Sequence, residues 1–125
     1  MATRGKPQRA AETDTERMIK NLKLTKLYKA IRKDLLDQLE RNCTTGSYYQ
    51  NLAEDYMDMW IAKCLAVADV RSRGIVVVYE NGGGQTGKKK NESVELQIKL
   101  NAQMLKLLSE MGIKPSQGDV GDDAL

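Results

Sequence analysis

Apolar residues recur at helical spacing in four stretches between residues 14 and 111, broken once by a run with the composition of a strand. Thr13 followed three positions later by Glu16 has the form of a capping box and predicts a short helix from Asp14 to about Lys23. Thr25 can cap a second helix, in which Leu27, Ile31, Leu35, Leu36 and Leu39 keep the helical period up to Arg41 or Asn42. After Cys43-Thr44-Thr45-Gly46, either Thr45 or Ser47 is placed to cap a third helix reaching about Ser72. Leu52, Tyr56, Met59 and Val70, with Tyr49, Trp60, Cys64 and Val67 beside them, give it a broad apolar surface. The absence of Gly and Pro from Ser47 to Ser72 predicts one continuous rod, stopped by Gly74.

Ile75 to Tyr79 is β-branched and apolar, and too short for a helix between Gly74 and Gly82, so it reads as a strand. A lone strand needs a partner, either in another subunit or in a weakly signalled segment such as the Lys-rich loop that follows. The last helix is expected from Glu92 to about Met111, with Glu95, Lys99, Gln103, Lys106 and Glu110 on one narrow polar face. Val94, Ile98, Leu105 and Leu108 line one apolar side of it, Leu96, Leu100, Leu107 and Met111 the other, and Met104 lies between. More than half of the circumference is apolar, which predicts two neighbours: the chain's own body and a second subunit. A central helix buried in one small domain would show the same pattern. Gly112 stands where a left-handed cap is wanted, Ile113 can fold back onto the last turn, and Pro115 prevents continuation.

These elements predict a mainly α fold, a helical bundle carrying one short β-strand or hairpin segment. With 125 residues the chain is at most one ordinary domain, divided into a disordered basic arm (1–13), a helical domain (14–115) and a flexible acidic tail (116–125). No Phe and a single Trp leave Leu, Met, Ile and Val to fill the core, and oligomerisation is a natural supplement.

The net charge of +3 is unevenly spread: residues 1–33 hold ten Lys and Arg against three acids, and the remainder holds fourteen acids against ten cations. A basic arm on a mildly acidic body points to a polyanionic partner. With no His and only Cys43 and Cys64, the sequence excludes a structural zinc finger and any nucleophile activated by His. No cofactor or metal is expected. The cysteines are expected to be free thiols in a reducing cytosol. No apolar run approaches the ~18 residues that a membrane span needs, and the polar, basic start lacks the apolar stretch of a secretory signal, so a cytoplasmic location without membrane contact is expected.

Gly82-Gly83-Gly84-Gln85-Thr86-Gly87-Lys88-Lys89 has the spacing of a phosphate-binding loop between a strand and a helix. Three features oppose that reading. Lys89 stands where a magnesium-holding Ser or Thr is required, lysines separate the loop from its helix, and a single strand cannot provide the parallel sheet and second acidic strand. A flexible basic loop is the expectation.

The joint order of these motifs resembles the small subunit of the phage terminase, the motor that packages DNA into tailed-phage capsids. The likeness runs from about Lys33 to Ser116. It is carried by Tyr56 and Trp60, Gly74 to Val77, Asn81 to Gly83, Gln103-Met104, Leu107 to Glu110, and Met111 to Ser116. The sequence departs from that pattern twice. Asn91-Glu92 replaces the usual Asn-Pro before the last helix, and Gln117 with Asp119, Asp122 and Asp123 replaces a basic tail. The resemblance implies a non-catalytic subunit, forming a homo-oligomeric ring, that recognises double-stranded viral DNA in the host cytoplasm. It would present that DNA to the large subunit, which holds the ATPase and nuclease.

On the residues themselves, Arg17, Lys20, Lys23, Lys26, Lys29, Arg32 and Lys33 are the candidate phosphate contacts, because cations about three apart form a slanted band suited to tracking a backbone. Arg4, Lys6 and Arg9 extend it, and Lys88 to Lys90 form a second patch. Val76, Val78, Leu96, Leu100, Met104, Leu107 and Met111 are the candidate oligomerisation residues. A non-catalytic helical adaptor or DNA-binding regulator is the alternative reading.

Overall fold

The computed structural model describes residues 11–114. Four helices and one hairpin follow in order: α1 (Asp14–Lys23), α2 (Lys26–Arg41), α3 (Ser47–Arg73), β1 (Val76–Asn81), β2 (Gln85–Lys90) and α4 (Glu92–Glu110). The readings of residues 1–10 as a disordered arm and 116–125 as a mobile tail fall outside the described residues.

The helix boundaries follow from their caps. The Thr13 hydroxyl accepts from the Glu16 amide while the Glu16 carboxylate accepts from the Thr13 amide, both at 3.1 Å, so the capping box forms as predicted. The Thr25 hydroxyl accepts from the Tyr28 amide and starts α2. The start of α3 differs from expectation. Gly46 is its N-cap and no side chain caps it, because Gly46 rather than Thr45 or Ser47 takes the extended conformation whose carbonyl accepts from Tyr49 and Gln50.

Both α2 and α4 end in the same device. In α4 the Gly112 amide donates to Ser109 and the Ile113 amide to Leu108, with Gly112 at φ +70°. In α2 the corresponding bonds run from Cys43 to Glu40 and from Thr44 to Leu39, but the left-handed residue is Cys43, at φ +57°. A side chain there carries a steric cost that glycine avoids.

α3 is the rod on which the rest is built, 27 residues and so about 40 Å long. Around its N-terminal half sits the main core: Tyr28, Leu35 and Leu39 from α2, Ala53, Met57 and Ile61 from α3, and Met111 just after α4. Ile19 and Leu22 of α1 close one side, and the Tyr28 and Trp60 rings meet in a tilted contact at 5.7 Å. α4 returns antiparallel along α3 and forms its most extensive contact. The residues α3 buries fully are Ala53, Met57, Ile61 and Ala66, two small side chains and two large ones interleaved among the residues that its sequence pattern emphasises.

The strand predicted at Ile75–Tyr79 does have a partner in its own chain. β1 and β2 pair antiparallel, Val76 opposite Lys90 and Asn81 opposite Gln85, with Gly82, Gly83 and Gly84 as the turn. The lysines read as a flexible loop are therefore a strand. The ring of Tyr79 lies over Gly87, its cross-strand partner, so closely that a Cβ at 87 would stand 2.6 Å from ring atoms. That glycine, which looked like part of a phosphate loop, is the seat of an aromatic side chain.

The hairpin is held at its root by Asn91, which is 1% exposed. Its Nδ2 donates to the Gly74 carbonyl at 2.9 Å, and its Oδ1 accepts from the Ser93 amide at 3.0 Å and from Arg73 at 3.2 Å. The Asn91 amide donates to Ile75 at 2.7 Å. Beside it, Asp69 takes two bonds from the Arg73 guanidinium, at 2.6 and 2.7 Å, and one from the Ser93 hydroxyl at 2.6 Å. Those Arg73 and Ser93 bonds hold the Asp69 carboxyl far below the ordinary aspartate range. One polar cluster thus ties the end of α3, the foot of the hairpin and the start of α4.

Two predictions follow from these contacts. Asn91→Ala leaves the half-buried Gly74 carbonyl without its donor and removes the α4 cap on Ser93, so a loss of about 2 kcal/mol is expected in urea denaturation. For Asp69, a depressed folded pKa means that its contribution is complete above the unfolded value near 4 and fades as pH falls through the folded value. The stability gap between wild type and Asp69→Asn should therefore be constant from pH 7 to 5 and shrink below about pH 4, as read from urea midpoints across that range. A third concerns strain at the end of α2: Cys43→Gly is expected to raise stability by about 0.5–1 kcal/mol, since relief of the left-handed side chain outweighs the entropy of glycine in the unfolded chain.

Candidate nucleic-acid interface

All seven N-terminal candidate cations lie on exposed positions of α1 and the first two turns of α2. Thr25 turns one helix directly into the next, since its hydroxyl donates to the Leu22 carbonyl and accepts from Tyr28. The run Lys20, Lys23, Lys26, Lys29 therefore continues around this corner instead of winding around a single helix.

Their electrostatic surroundings divide them. Lys20 pairs with Glu12 at 2.8 Å, and Arg17 reaches Glu12 at 4.0 Å and Asp14 at 3.5 Å. Lys33 pairs with Asp37 at 2.6 Å, and Arg32 with Glu54 at 2.6 Å, a link from α2 to α3. The hydrogen bonds to Glu12 and Asp37 raise the Lys20 and Lys33 pKa values, so both remain fully charged at neutral pH. Lys23, Lys26 and Lys29 form no ion pair with the described residues. These three, grouped at the α1–α2 corner, are the most available positive charge on this surface. Exposed ion pairs of the kind made by the other four are weak and exchange readily for a phosphate.

The second lysine patch sits on the hairpin. Strand alternation puts Lys88 and Lys90 on one face with Val78 and Val76, while Lys89 lies on the other with buried Val77 and reaches Glu92 at 3.5 Å. The glycine turn is the tip of this ribbon and not a phosphate cradle, because Lys88 and Lys89 are held in the strand ladder opposite Val78 and Val77. No helix of the described residues is long and apolar enough to cross a membrane. No group of three or more Cys, Asp and Glu side chains among them is arranged to hold a metal.

The candidate oligomerisation residues also separate. Val76 and Val78 are exposed on the outer face of β1, and Leu96 is exposed on α4. Met104 and Met111 are buried against the chain's own body, and Leu100 and Leu107 are half-buried near them, because α4 turns this side towards α3. The large apolar side chains that α4 leaves in the open are Ile98 and Leu105 together with Leu96. Ile98 and Leu105 belong to the opposite side of the helix, which thus faces outward between half-buried Val94 and Leu108, while Leu96 stands at the edge of the side turned towards α3.

The order of elements, a helical corner, a long rod, a Gly-Gly-Gly hairpin and a return helix ended by Gly112, agrees with a protein-family match. The family model described as "Phage terminase, small subunit" matches residues 28–119. The chain belongs to this family. Membership implies a role in phage DNA packaging, in a subunit class that is generally non-catalytic. Searches of curated proteins and of solved structures found no match. The terminase match begins at Tyr28, within α2, so it takes in Lys29, Arg32 and Lys33 and leaves Arg17, Lys20, Lys23 and Lys26 outside.

Proposed function

We propose that this small terminase subunit forms a homo-oligomeric ring that recognises double-stranded viral DNA in the host cytoplasm and presents it to the large ATPase and nuclease subunit. Family membership supports the role in packaging, and the cationic corner between α1 and α2 supports the DNA surface. In this reading Lys23, Lys26 and Lys29 make the first phosphate contacts. Arg17, Lys20, Arg32 and Lys33 join by exchanging their carboxylate partners for phosphate, releasing condensed counterions as they do. The arm over residues 1–13 adds charge, and the helical domain of 14–115 supplies the scaffold. Val76, Val78 and Leu96 offer exposed apolar surface for assembly, with Leu100 and Leu107 at its margin and Met104 and Met111 supporting it from within. The subunit does no chemistry of its own, and its effect on the partner ATPase is exerted through the DNA it delivers.

The test is a salt titration of duplex binding by fluorescence anisotropy, with the mass of the assembly followed in parallel. For Lys23→Ala/Lys26→Ala/Lys29→Ala the log–log salt slope should fall by about 2–3 and the affinity at moderate salt by at least about tenfold, with oligomer mass unchanged. Equal slopes for the triple variant and the wild type would move the DNA site elsewhere.

A further inference from the structure

Two apolar rows run along the α3–α4 pair, each covered by the core at one end and open beyond it. Along α3, Ala53, Met57, Trp60, Cys64, Val67 and Arg71 follow one another at alternating spacings of four and three. The first three lie in or against the main core with α2, whereas Trp60, Cys64, Val67 and Arg71, with Lys63 and Ala68, line an open trench of about 300 Å³. Along α4, Val94, Ile98, Asn101, Leu105 and Leu108 alternate in the same way, and Ile98 and Leu105 are 68% and 58% exposed. This alternation is the spacing of a coiled-coil seam. Lys63 donates to Asn101 at 2.9 Å and ties the two rows together, so the trench opens on the flank of α3 and the ridge stands on the flank of α4.

The two surfaces are complementary in shape, and the trench offers Arg71 to Glu95, which stands with Lys99 and Lys106 beside the ridge. Cys64, Val67 and Ala68 are small, and Lys63 and Arg71 border them. Ile98 and Leu105 are branched and prominent, and Glu95 lies one turn before Ile98. The trench suits a bulky apolar ridge with an acid beside it, and the ridge of α4 has that form.

We propose that the α4 ridge of one copy seats in the α3 trench of the next, Ile98 against Cys64 and Val67, with Glu95 directed to Arg71. This inference rests on the ring reading above and specifies its contact. Ridge and trench are different surfaces, so the contact is head-to-tail; its repetition does not stop at a pair, and it closes a ring where the rotation from copy to copy divides a full turn.

Native Cys64 makes the proposal testable. In the full chain carrying Cys43→Ser and Ile98→Cys, mild oxidation should give a ladder of covalent species beyond the dimer on a non-reducing gel. The ladder should collapse with reductant and be absent from the Cys43→Ser parent. A disulfide needs its Cα atoms within about 7 Å, so a charge swap supplies a second readout. Glu95→Arg should weaken assembly at least about tenfold, and adding Arg71→Glu should restore it. Cross-links that stop at the dimer would overturn the head-to-tail contact. An intact ring by native mass spectrometry with neither ladder nor rescue would overturn this interface and leave the ring reading standing. Monomers throughout would instead overturn the ring reading itself. Cys64 shielded from maleimide equally in dilute monomer and in concentrated protein would assign the trench to the chain's own termini and overturn the proposal.

Discussion

The unbroken length of α3 is the constraint from which the rest of the structure follows. A helix of 27 residues in a chain of this size cannot bury its whole circumference, since α1 and α2 together cover only its first half. α4 runs back along it in the most extensive contact of the fold and brings Met111 into the core beside Met57. That return is possible only if the chain reverses direction cleanly at Arg73, and Asn91 with Asp69, Arg73 and Ser93 fixes the reversal. The hairpin is the excursion between the two ends of this clamp. A two-stranded ribbon is marginal alone, and its stability here comes from the clamped root, from buried Val77 and from the Tyr79 ring laid over Gly87.

Helix ends were legible because caps are local. The Thr13–Glu16 box, Thr25, Gly74 and the Gly112-Ile113 stop act within a few residues, and all occur where the sequence places them. The strand at Val76 was legible from its β-branched run, and its partner only as one of two options, the Lys-rich segment or another subunit, since Gln-Thr-Gly-Lys-Lys-Lys has little strand propensity. What makes it a strand is tertiary: backbone pairing to β1 and an aromatic ring that fits only over glycine. The apolar surface read along α3 packs against the core at Tyr49, Leu52, Tyr56 and Trp60, but its most deeply buried positions were not singled out, for a related reason. A helix with α2 on one side and α4 on another has no single stripe, so the small Ala53 and Ala66 at the closest approaches are buried while larger neighbours remain half-exposed. The two apolar sides of α4 were visible in the pattern. Which one faces its own body depends on where α3 lies, and periodicity carries no information about that.

The cations show a similar division between what a sequence states and what a fold adds. Counting charges located the basic end of the molecule but treated Lys20 and Lys23 as equals. In the folded chain Lys20 is paired with Glu12, whereas Lys23 has no ion-pair partner among the described residues. Glu12, Asp37 and Glu54 temper a surface that would otherwise repel itself strongly. Because these pairs are exposed, they store little energy, and the field seen by a distant polyanion is that of the net charge. Such a surface favours loose, salt-sensitive engagement over a rigid, base-reading one, in keeping with the proposed transfer of DNA to a partner subunit.

The same rod also separates the proposed duties in space. The cationic corner sits against the middle of the rod, where Ile19 and Lys23 border Asp58, Ile61 and Leu65. The hairpin springs from its C-terminal end, and the trench of α3, from Trp60 to Arg71, runs along the section between them with the ridge of α4. If copies join along that middle section, every α1–α2 corner falls at one level of the assembly and every hairpin at another. DNA contacts and hairpin contacts are then repeated around an axis without competing for the same surface. A cation that is weak alone becomes effective when repeated, because each additional copy holds the next at high effective concentration beside the same duplex. The modest charge of one subunit is in that case no obstacle to firm DNA binding, and the apolar flanks of α3 and α4 are what convert one into the other.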